Sequence, residues 1–322
     1  MRTGASPILK LQKKRNDNEV YIMREDILPF SMGGNKVRIA EEFFQDMKQK
    51  NCDTMIAYGN ARSNLCRVIA NECRIRNIPC YIINSTEEYE EKQEETSNSN
   101  LMRILGAVMI PCKKTEIAET VEHTMQEIRE KGGRPYYIFG NKYGTGNEAV
   151  AAGAYAKAYS YIQEFEKKEN LEFDYIFHAS GTGATQSGLI CGHILAGDHK
   201  KIIGILISSR EYERAVDIIR TGVEKYLEKL DKPFLQEYNK EIHVEKDFRK
   251  GGYGLYDAEI LQCIRDTFCE ESIPLDPVYT GKAFWGMQEY LKQKDIKNKK
   301  ILFIHTGGTP LFFDCLKKGE IK

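Results

Sequence analysis

The chain is 322 residues long, beyond the size at which a single hydrophobic core usually stops growing, so two domains are expected. Lysine plus arginine and aspartate plus glutamate each number 47, which leaves no basic field to suit nucleic acid or an anionic membrane. The most apolar runs, such as IIGILI and ILFI, are too short to span a bilayer, and the opening MRTGASPILKLQKKRND lacks the apolar stretch of a signal peptide; a soluble, cytoplasmic protein is expected.

In chain order, the first informative stretch is SMGGNKVRIAEEFF, 31–44. It sets Lys36 directly after Gly-Gly-Asn and directly before a helical pattern. A helix N-terminus carries partial positive charge, so a cation there does not help stability. Either Lys36 is a solvated surface lysine or its amine is wanted with a lowered pKa. From residue 54 onward, β-rich runs alternate with helical patterns: TMIAYG, PCYIIN, AVMIP, PYYIF, DYIFHAS, KIIGILI and KILFIHT. Such alternation predicts βαβ units and therefore open, mostly parallel twisted α/β sheets with helices on both faces. Between the first two runs, Ser63-Asn64 sits at a strand-to-helix junction and reads either as an N-cap or as part of a site. The acidic segment 87–100 reads as a solvated helix and loop. Residues 146–168 read as a helix with a small-residue face, suited to bridging two lobes.

The nine cysteines are scattered and include no C-x-x-C pair, and the six histidines form no H-E-x-x-H, so free buried thiols and no metal site are expected.

The second informative stretch is DYIFHASGTGATQSGLICGHILAG, 174–197. An apolar strand runs into Ser180-Gly181-Thr182-Gly183-Ala184-Thr185, and a helix follows. Glycines let several N–H groups point inward, the helix start adds positive potential, and two threonines offer hydroxyls; the arrangement suits a phosphate. It is not a Walker loop, because no Gly-Lys-Ser/Thr follows. As a dinucleotide loop it lacks the third glycine, and the next strand ends in Ser208-Ser209-Arg210 rather than in an acid that would hold a ribose. A Ser-Arg end could hold the 2′-phosphate of NADP, which keeps an NADP-binding oxidoreductase open.

One phosphate cradle and one reactive lysine together suit pyridoxal 5′-phosphate, whose aldehyde condenses with an amine and whose ring acts as an electron sink. On this reading the helix start and burial both help keep Lys36 deprotonated, and Gly33 and Gly34 let the backbone approach the cofactor.

With those residues in view, REDILPFSMGGNKVRIAEEF resembles the opening signature of the 1-aminocyclopropane-1-carboxylate (ACC) deaminase and D-cysteine desulfhydrase family. YGNARSNLCRVIA at 58–70, ASGTGATQSGL at 179–189, GGYG at 251–254, DPVYTGKAFWGM at 276–287 and ILFIHTGGTP at 301–310 resemble five further signatures in the same order. The resemblance implies the tryptophan synthase β-subunit fold (fold type II), with a small domain at 48–152 inserted in a large cofactor-binding domain of 1–47 and 153–322. It implies a homodimer, and a site in the cleft between domains. It also implies roles. Lys36 carries the cofactor and shuttles the Cα proton. Asn64 bonds the ring hydroxyl, and Ser63 lies beside the substrate carboxylate and is a catalytic candidate for proton transfer. Gly181, Thr182, Gly183, Ala184 and Thr185 hold the phosphate. Tyr253 and Tyr279 flank the substrate, with Tyr279 a candidate acid–base group, and Thr306 lies near the ring nitrogen.

The deaminases resemble Tyr-Glu-Gly and His-Leu-Gly-Gly at two positions where this chain has Tyr279-Thr280-Gly281 and His305-Thr306-Gly307-Gly308; both are the desulfhydrase-like choice. That implies β-elimination from a small amino acid, such as loss of sulfide from D-cysteine, with β-replacement, racemisation, ACC deamination and a catalytically silent binding protein as alternatives. Arg62 and Leu65 stand where the family has glutamine and histidine, and GNKYGTGNEA at 140–149 departs from its Gly-Gly-Ser-Asn. Arg62 is therefore a candidate substrate selector, favouring a second anionic group.

Overall fold

The chain folds around two sheets, and the computed structural model describes residues 3–86 and 95–321. The larger sheet holds β1 (Ile8–Lys10), β2 (Glu19–Arg24), β7 (Tyr175–Ser180), β8 (Lys201–Leu206), β9 (His243–Glu245) and β10 (Lys300–His305), in the order β1-β2-β10-β7-β8-β9. Only β1 runs antiparallel to its neighbour. The smaller sheet holds β3 (Thr54–Tyr58), β4 (Cys80–Thr86), β5 (Val108–Lys113) and β6 (Pro135–Tyr137), parallel throughout in the order β5-β4-β3-β6. This is the α/β architecture of mostly parallel sheets that the alternating pattern predicts. All seven expected strands are present, and β1, β2 and β9 are additions. β2, EVYIMR, has only four apolar residues between charged ends, too short a run to stand out, yet it lies in the sheet interior because β10 pairs with it along its whole length.

Strand alternation sets the core. Val20, Ile22, Phe177, Ala179, Ile301 and Phe303 point to one face and pack on α8 (Ala258–Glu271) and α9 (Thr280–Gln293). Tyr21, Met23, Ile176, Leu302 and Ile304 point to the other, toward α1 (Asn35–Gln49), α5 (Glu148–Glu169), α6 (Ala184–Ala196) and α7 (Tyr212–Lys229), and this second cluster continues into the small sheet. Both faces are buried, which is why these strands read as continuous apolar runs. The small-residue face expected at 146–168 belongs to α5, which crosses α6 closely: a Cβ on Gly188 would stand 2.3 Å from the Ala152 carbonyl oxygen.

α2 (Asn64–Arg76), α3 (Ser97–Ile104) and α4 (Ile117–Glu130) cover the small sheet. Of the acidic segment 87–100, residues 87–94 lie outside the described residues, and its end opens α3 behind a Thr96 cap. Cys52 is half-buried, Cys269 is exposed, the other seven cysteines are buried, and all nine are free thiols. Among the described residues no helix is long and apolar enough to cross a membrane, and no cluster of three metal-ligating side chains occurs.

The topology fixes where a ligand can sit. After β7 the chain continues to β8 on one side, whereas β10 lies on the other, so the strand order reverses between β7 and β10. Open parallel sheets bind ligands beyond the carboxyl ends of their strands at such a switch point. The Gly-rich turn follows β7, and Thr306 follows β10.

Candidate active site

A cavity of about 400 Å³ opens at that switch point, between the carboxyl ends of the two sheets. Lys36, Ser63, Asn64, Gly181, Thr182, Gly183, Thr185, Tyr253, Tyr279 and Thr306 all line it. Ala184 and Arg62 do not. Ala184 opens α6 and faces an adjoining cavity, and Arg62 lines a separate cleft with Thr96, Tyr256 and Asp314.

Lys36 is the second residue of α1. The loop before it is pinned from below. Glu25 and Arg38 form a buried ion pair (Arg38 Nε to Glu25 Oε2, 2.8 Å), and Ser6 and Tyr155 each donate to Glu25 at 2.9 Å. Gly34 N donates to Glu25 O (2.7 Å), and Asn35 N donates to Thr306 O (3.1 Å). The two glycines are required by this packing. A Cβ on Gly33 would lie 2.0 Å from Asp26 O, and one on Gly34 would lie 3.0 Å from Thr306 O. Both residues have positive φ, at 65° and 101°. The Lys36 amine has no hydrogen-bond or ion-pair partner among the described residues, and burial pushes its pKa down to about 8. Its accessible surface is the part that faces the cavity.

The turn after β7 reaches α6 through Gly183, whose φ is +84°; a Cβ there would meet Ile218 at 3.0 Å and Ile219 at 3.2 Å. Asn35 Nδ2 donates to Thr185 Oγ1 (2.8 Å), which locks the lysine helix to the turn. Beside them His178 donates from Nδ1 to Ala179 O (3.0 Å), and burial pushes its pKa down to about 4, so the ring is neutral. Its Nε2 lies buried on the cavity wall without a partner among the described residues, as does Ser208 Oγ.

On the opposite wall Ser63 caps α2, accepting from Cys66 N at 3.2 Å. Asn64 Oδ1 accepts from Asn98 Nδ2 (3.0 Å) and Arg67 Nη2 (3.4 Å), so both acceptor positions are used, and the Asn64 amide N–H groups have no partner among the described residues. Tyr253 and Tyr279 share a 2.6 Å hydrogen bond, and Tyr253 also donates to Asn60 Oδ1 (3.3 Å). Burial raises both phenols, Tyr253 to about 12 and Tyr279 well above its ordinary value, so both are protonated at neutral pH. Buried Asp276 holds the turn beneath Tyr279, accepting from the backbone of Val278, Tyr279 and Thr280 at 2.8–3.0 Å. Lys282 Nζ donates to Gly252 O (2.6 Å) and fixes the loop that carries Tyr253.

Sequence reasoning missed Asn35, His178, Asp276 and Lys282. His178 was open to notice as an imidazole on an apolar strand two residues before Ser180, hence on the same face. Asp276, before Pro-Val-Tyr-Thr, carries the signature of an Asx turn.

These residues fit pyridoxal phosphate: an amine of lowered pKa, a glycine-bearing turn at a helix start, an amide side chain lining the same cavity, and orphaned polar atoms on the wall. They define the class of pyridoxal-phosphate enzymes. The family model described as "Pyridoxal-phosphate dependent enzyme" matches residues 1–307, and the chain belongs to that family. It is 30% identical over 297 residues to a provisionally assigned 1-aminocyclopropane-1-carboxylate deaminase of Pyrococcus abyssi, covering 92% of this chain and 86% of that one. It is 27% identical over 322 residues to the D-cysteine desulfhydrase of Serratia proteamaculans, covering 96% and 93%. The crystal structure of an ACC deaminase homologue superposes with a TM-score of 0.85 at 28% identity, covering 98% and 93%. The chain is thus a pyridoxal-phosphate-dependent enzyme related to these deaminases and desulfhydrases, and the nicotinamide alternative is set aside.

Proposed function

We propose that the protein catalyses β-elimination from a small amino acid, with D-cysteine as the reference substrate and pyruvate, ammonia and hydrogen sulfide as products after water addition. The observation that carries this reading is the chemistry of the cavity wall. Among the described residues it holds Lys36, Lys114 and Arg210, three phenols (Tyr58, Tyr253 and Tyr279) and Thr306, and no carboxylate. Opening a cyclopropane ring asks for a strong electron sink, which a carboxylate at the ring nitrogen would strengthen. A threonine hydroxyl supports a weaker sink, adequate when Cβ carries a good leaving group. Thr280, at the position of the deaminase glutamate, is committed to the Asp276 turn (Thr280 Oγ1 to Asp276 Oδ2, 2.8 Å).

When bound, the cofactor supplies an electron sink for charge developing at Cα. Lys36 Nζ holds the cofactor and takes the Cα proton, its lowered pKa keeping a neutral fraction at neutral pH. The Gly181–Thr185 turn orients the phosphate. The Asn64 amide donates to the ring hydroxyl, and Ser63 lies at the substrate carboxylate. Tyr279, hydrogen-bonded to Tyr253, returns a proton to the departing thiolate. Residues 48–152 form the small domain on this reading, supported by the smaller sheet lying wholly within 54–137. The protein acts as a cytoplasmic homodimer, which sedimentation tests.

The deciding assay incubates the purified enzyme with D-cysteine, L-cysteine and ACC, and measures sulfide, ammonia and keto acid. Sulfide with pyruvate is the expected result. A four-carbon keto acid from ACC, with no sulfide from either cysteine, would overturn the proposal.

A further inference from the structure

The turn after β8, Ser208-Ser209-Arg210, has no role in the function described so far. Arg210 stands at the wall shared by the catalytic cavity and the adjoining one. Its Nη1 donates to Gly181 O, in the Gly-rich turn. Among the described residues it has no carboxylate partner. Its charged neighbour is Arg214, one turn further along the chain, and burial and that like charge both depress its pKa. A half-buried guanidinium with one neutral acceptor and a like-charged neighbour is favoured by an anion that balances it. Ser208 Oγ, two residues earlier on the same turn, is a buried hydroxyl without a partner among the described residues and lines the same cavity. The Gly-rich turn itself offers only neutral donors. Arg210 and Ser208 together present a fork of N–H groups and a hydroxyl, a donor set matched to phosphate oxygens.

We infer that Arg210 supplies the cationic clamp on the cofactor's phosphate, with Ser208 as an auxiliary donor. The cradle is then built from two turns, one after β7 and one after β8, rather than from the Gly-rich turn alone. Arg210 is a positioning residue: it neutralises the phosphate and braces Gly181, and it does not touch the reacting atoms. The inference rests on residues 181–185 being the phosphate cradle.

The test compares pyridoxal phosphate with pyridoxal, which has the same ring and aldehyde but no phosphate. Full-length wild type, Arg210→Gln, Arg210→Lys and Gly183→Asp are stripped of cofactor by dialysis, and binding is followed by absorbance. Arg210→Gln should bind pyridoxal phosphate at least about tenfold more weakly while its pyridoxal affinity stays within about twofold, and Arg210→Lys should recover most of the loss. Equal weakening toward both ligands would show a merely structural role and overturn the inference. So would unchanged affinity for pyridoxal phosphate, including the case where only the KM of an anionic substrate rises. Gly183→Asp separates the two layers. If it retains pyridoxal phosphate like wild type, the cradle reading itself fails. If it loses the cofactor while Arg210→Gln does not, only the inference about Arg210 fails.

Discussion

The two walls of the cavity are built differently. On the large-sheet wall main-chain bonds do most of the positioning, with one side-chain tie. Gly34 bonds Glu25, Asn35 bonds Thr306, and the Asn35 side chain ties α1 to Thr185. On the small-sheet wall, side-chain amides do it. Asn98 bonds both the Asn64 side chain and the Arg62 carbonyl, and Arg67 reaches Asn64 and Gly33 O. Leu65, read from sequence as standing where the resembled family has histidine, lines the cavity, whereas Arg62 and the 140–149 stretch line neighbouring clefts. The contrast suggests a division of labour. The backbone-locked wall holds cofactor and base, where small displacements are costly. The amide-held wall can exchange side chains and so adjust which amino acid is accepted.

The largest effect should follow from Lys36→Ala. It removes the covalent attachment and the base together, so kcat should fall by at least about a thousandfold, the scale on which a positioned general base acts. The borohydride-sensitive absorption band of the purified enzyme should vanish with it. Turnover near that of wild type would remove Lys36 from the mechanism.

Next in size is Tyr279→Phe. The phenol is protonated and its partner Tyr253 is oriented by Asn60, so loss of the hydroxyl should lower kcat by about a hundredfold with little change in cofactor content. Cofactor loss instead would place Tyr279 on the cofactor side of the comparison.

A third effect is on stability. Lys36 is an ordinary lysine in the unfolded chain and is depressed to about 8 in the fold. Between about pH 8 and 10.5 the unfolded state binds more protons, so the cost of burying this amine is greatest below pH 8 and fades as pH rises toward 10.5. Cofactor-free Lys36→Met should therefore be more stable than cofactor-free wild type at pH 7, by roughly 1–3 kcal/mol, and the gain should shrink at pH 10. Denaturant unfolding at the two pH values measures it. A gain that grows with pH would contradict the depressed pKa.

Much of this was legible in the sequence because its parts are contiguous. Gly-Gly-Asn-Lys, Ser63-Asn64, the Gly-Thr-Gly turn and His-Thr-Gly-Gly each sit at a strand end or helix start, and local pattern marks such junctions. What could not be read depends on long-range register. From sequence Arg210 reads as a strand end that could hold the 2′-phosphate of NADP; its neighbour Gly181 comes from another turn, brought close by the β7–β8 pairing. β2 was invisible because its place inside the sheet is set by β10, nearly the whole chain away. Gly33 and Gly34 were legible as glycines, but their reason was not, because the backbone they touch lies at Asp26 and Thr306.

The smallest effect should come from Arg62→Gln, and it bears hardest on the small-sheet wall. From sequence, a cation next to Ser63-Asn64 is expected to grip a second anionic group on the substrate. In the fold its main-chain N–H donates to Asn60 Oδ1 (3.0 Å), while the side chain turns into the neighbouring cleft. The guanidinium packs on the loop that carries Tyr253: a Cβ on Gly254 would stand 2.3 Å from its Nη1. Among the described residues its charge bears on the catalytic cavity through the Tyr253 phenol, whose ionisation it favours. An indirect effect of that kind acts on all substrates alike. The ratio of kcat/KM for O-phosphoserine or aspartate to that for D-cysteine should therefore change less than about threefold, under roughly 0.7 kcal/mol at 1.4 kcal/mol per decade. Loss of a direct charged contact would instead lower that ratio by tenfold or more, since a buried contact of this type is worth about 2–5 kcal/mol. A drop of that size would mean that Arg62 swings into the cavity on binding, and that the small-sheet wall selects by a mobile cation rather than by its fixed amides.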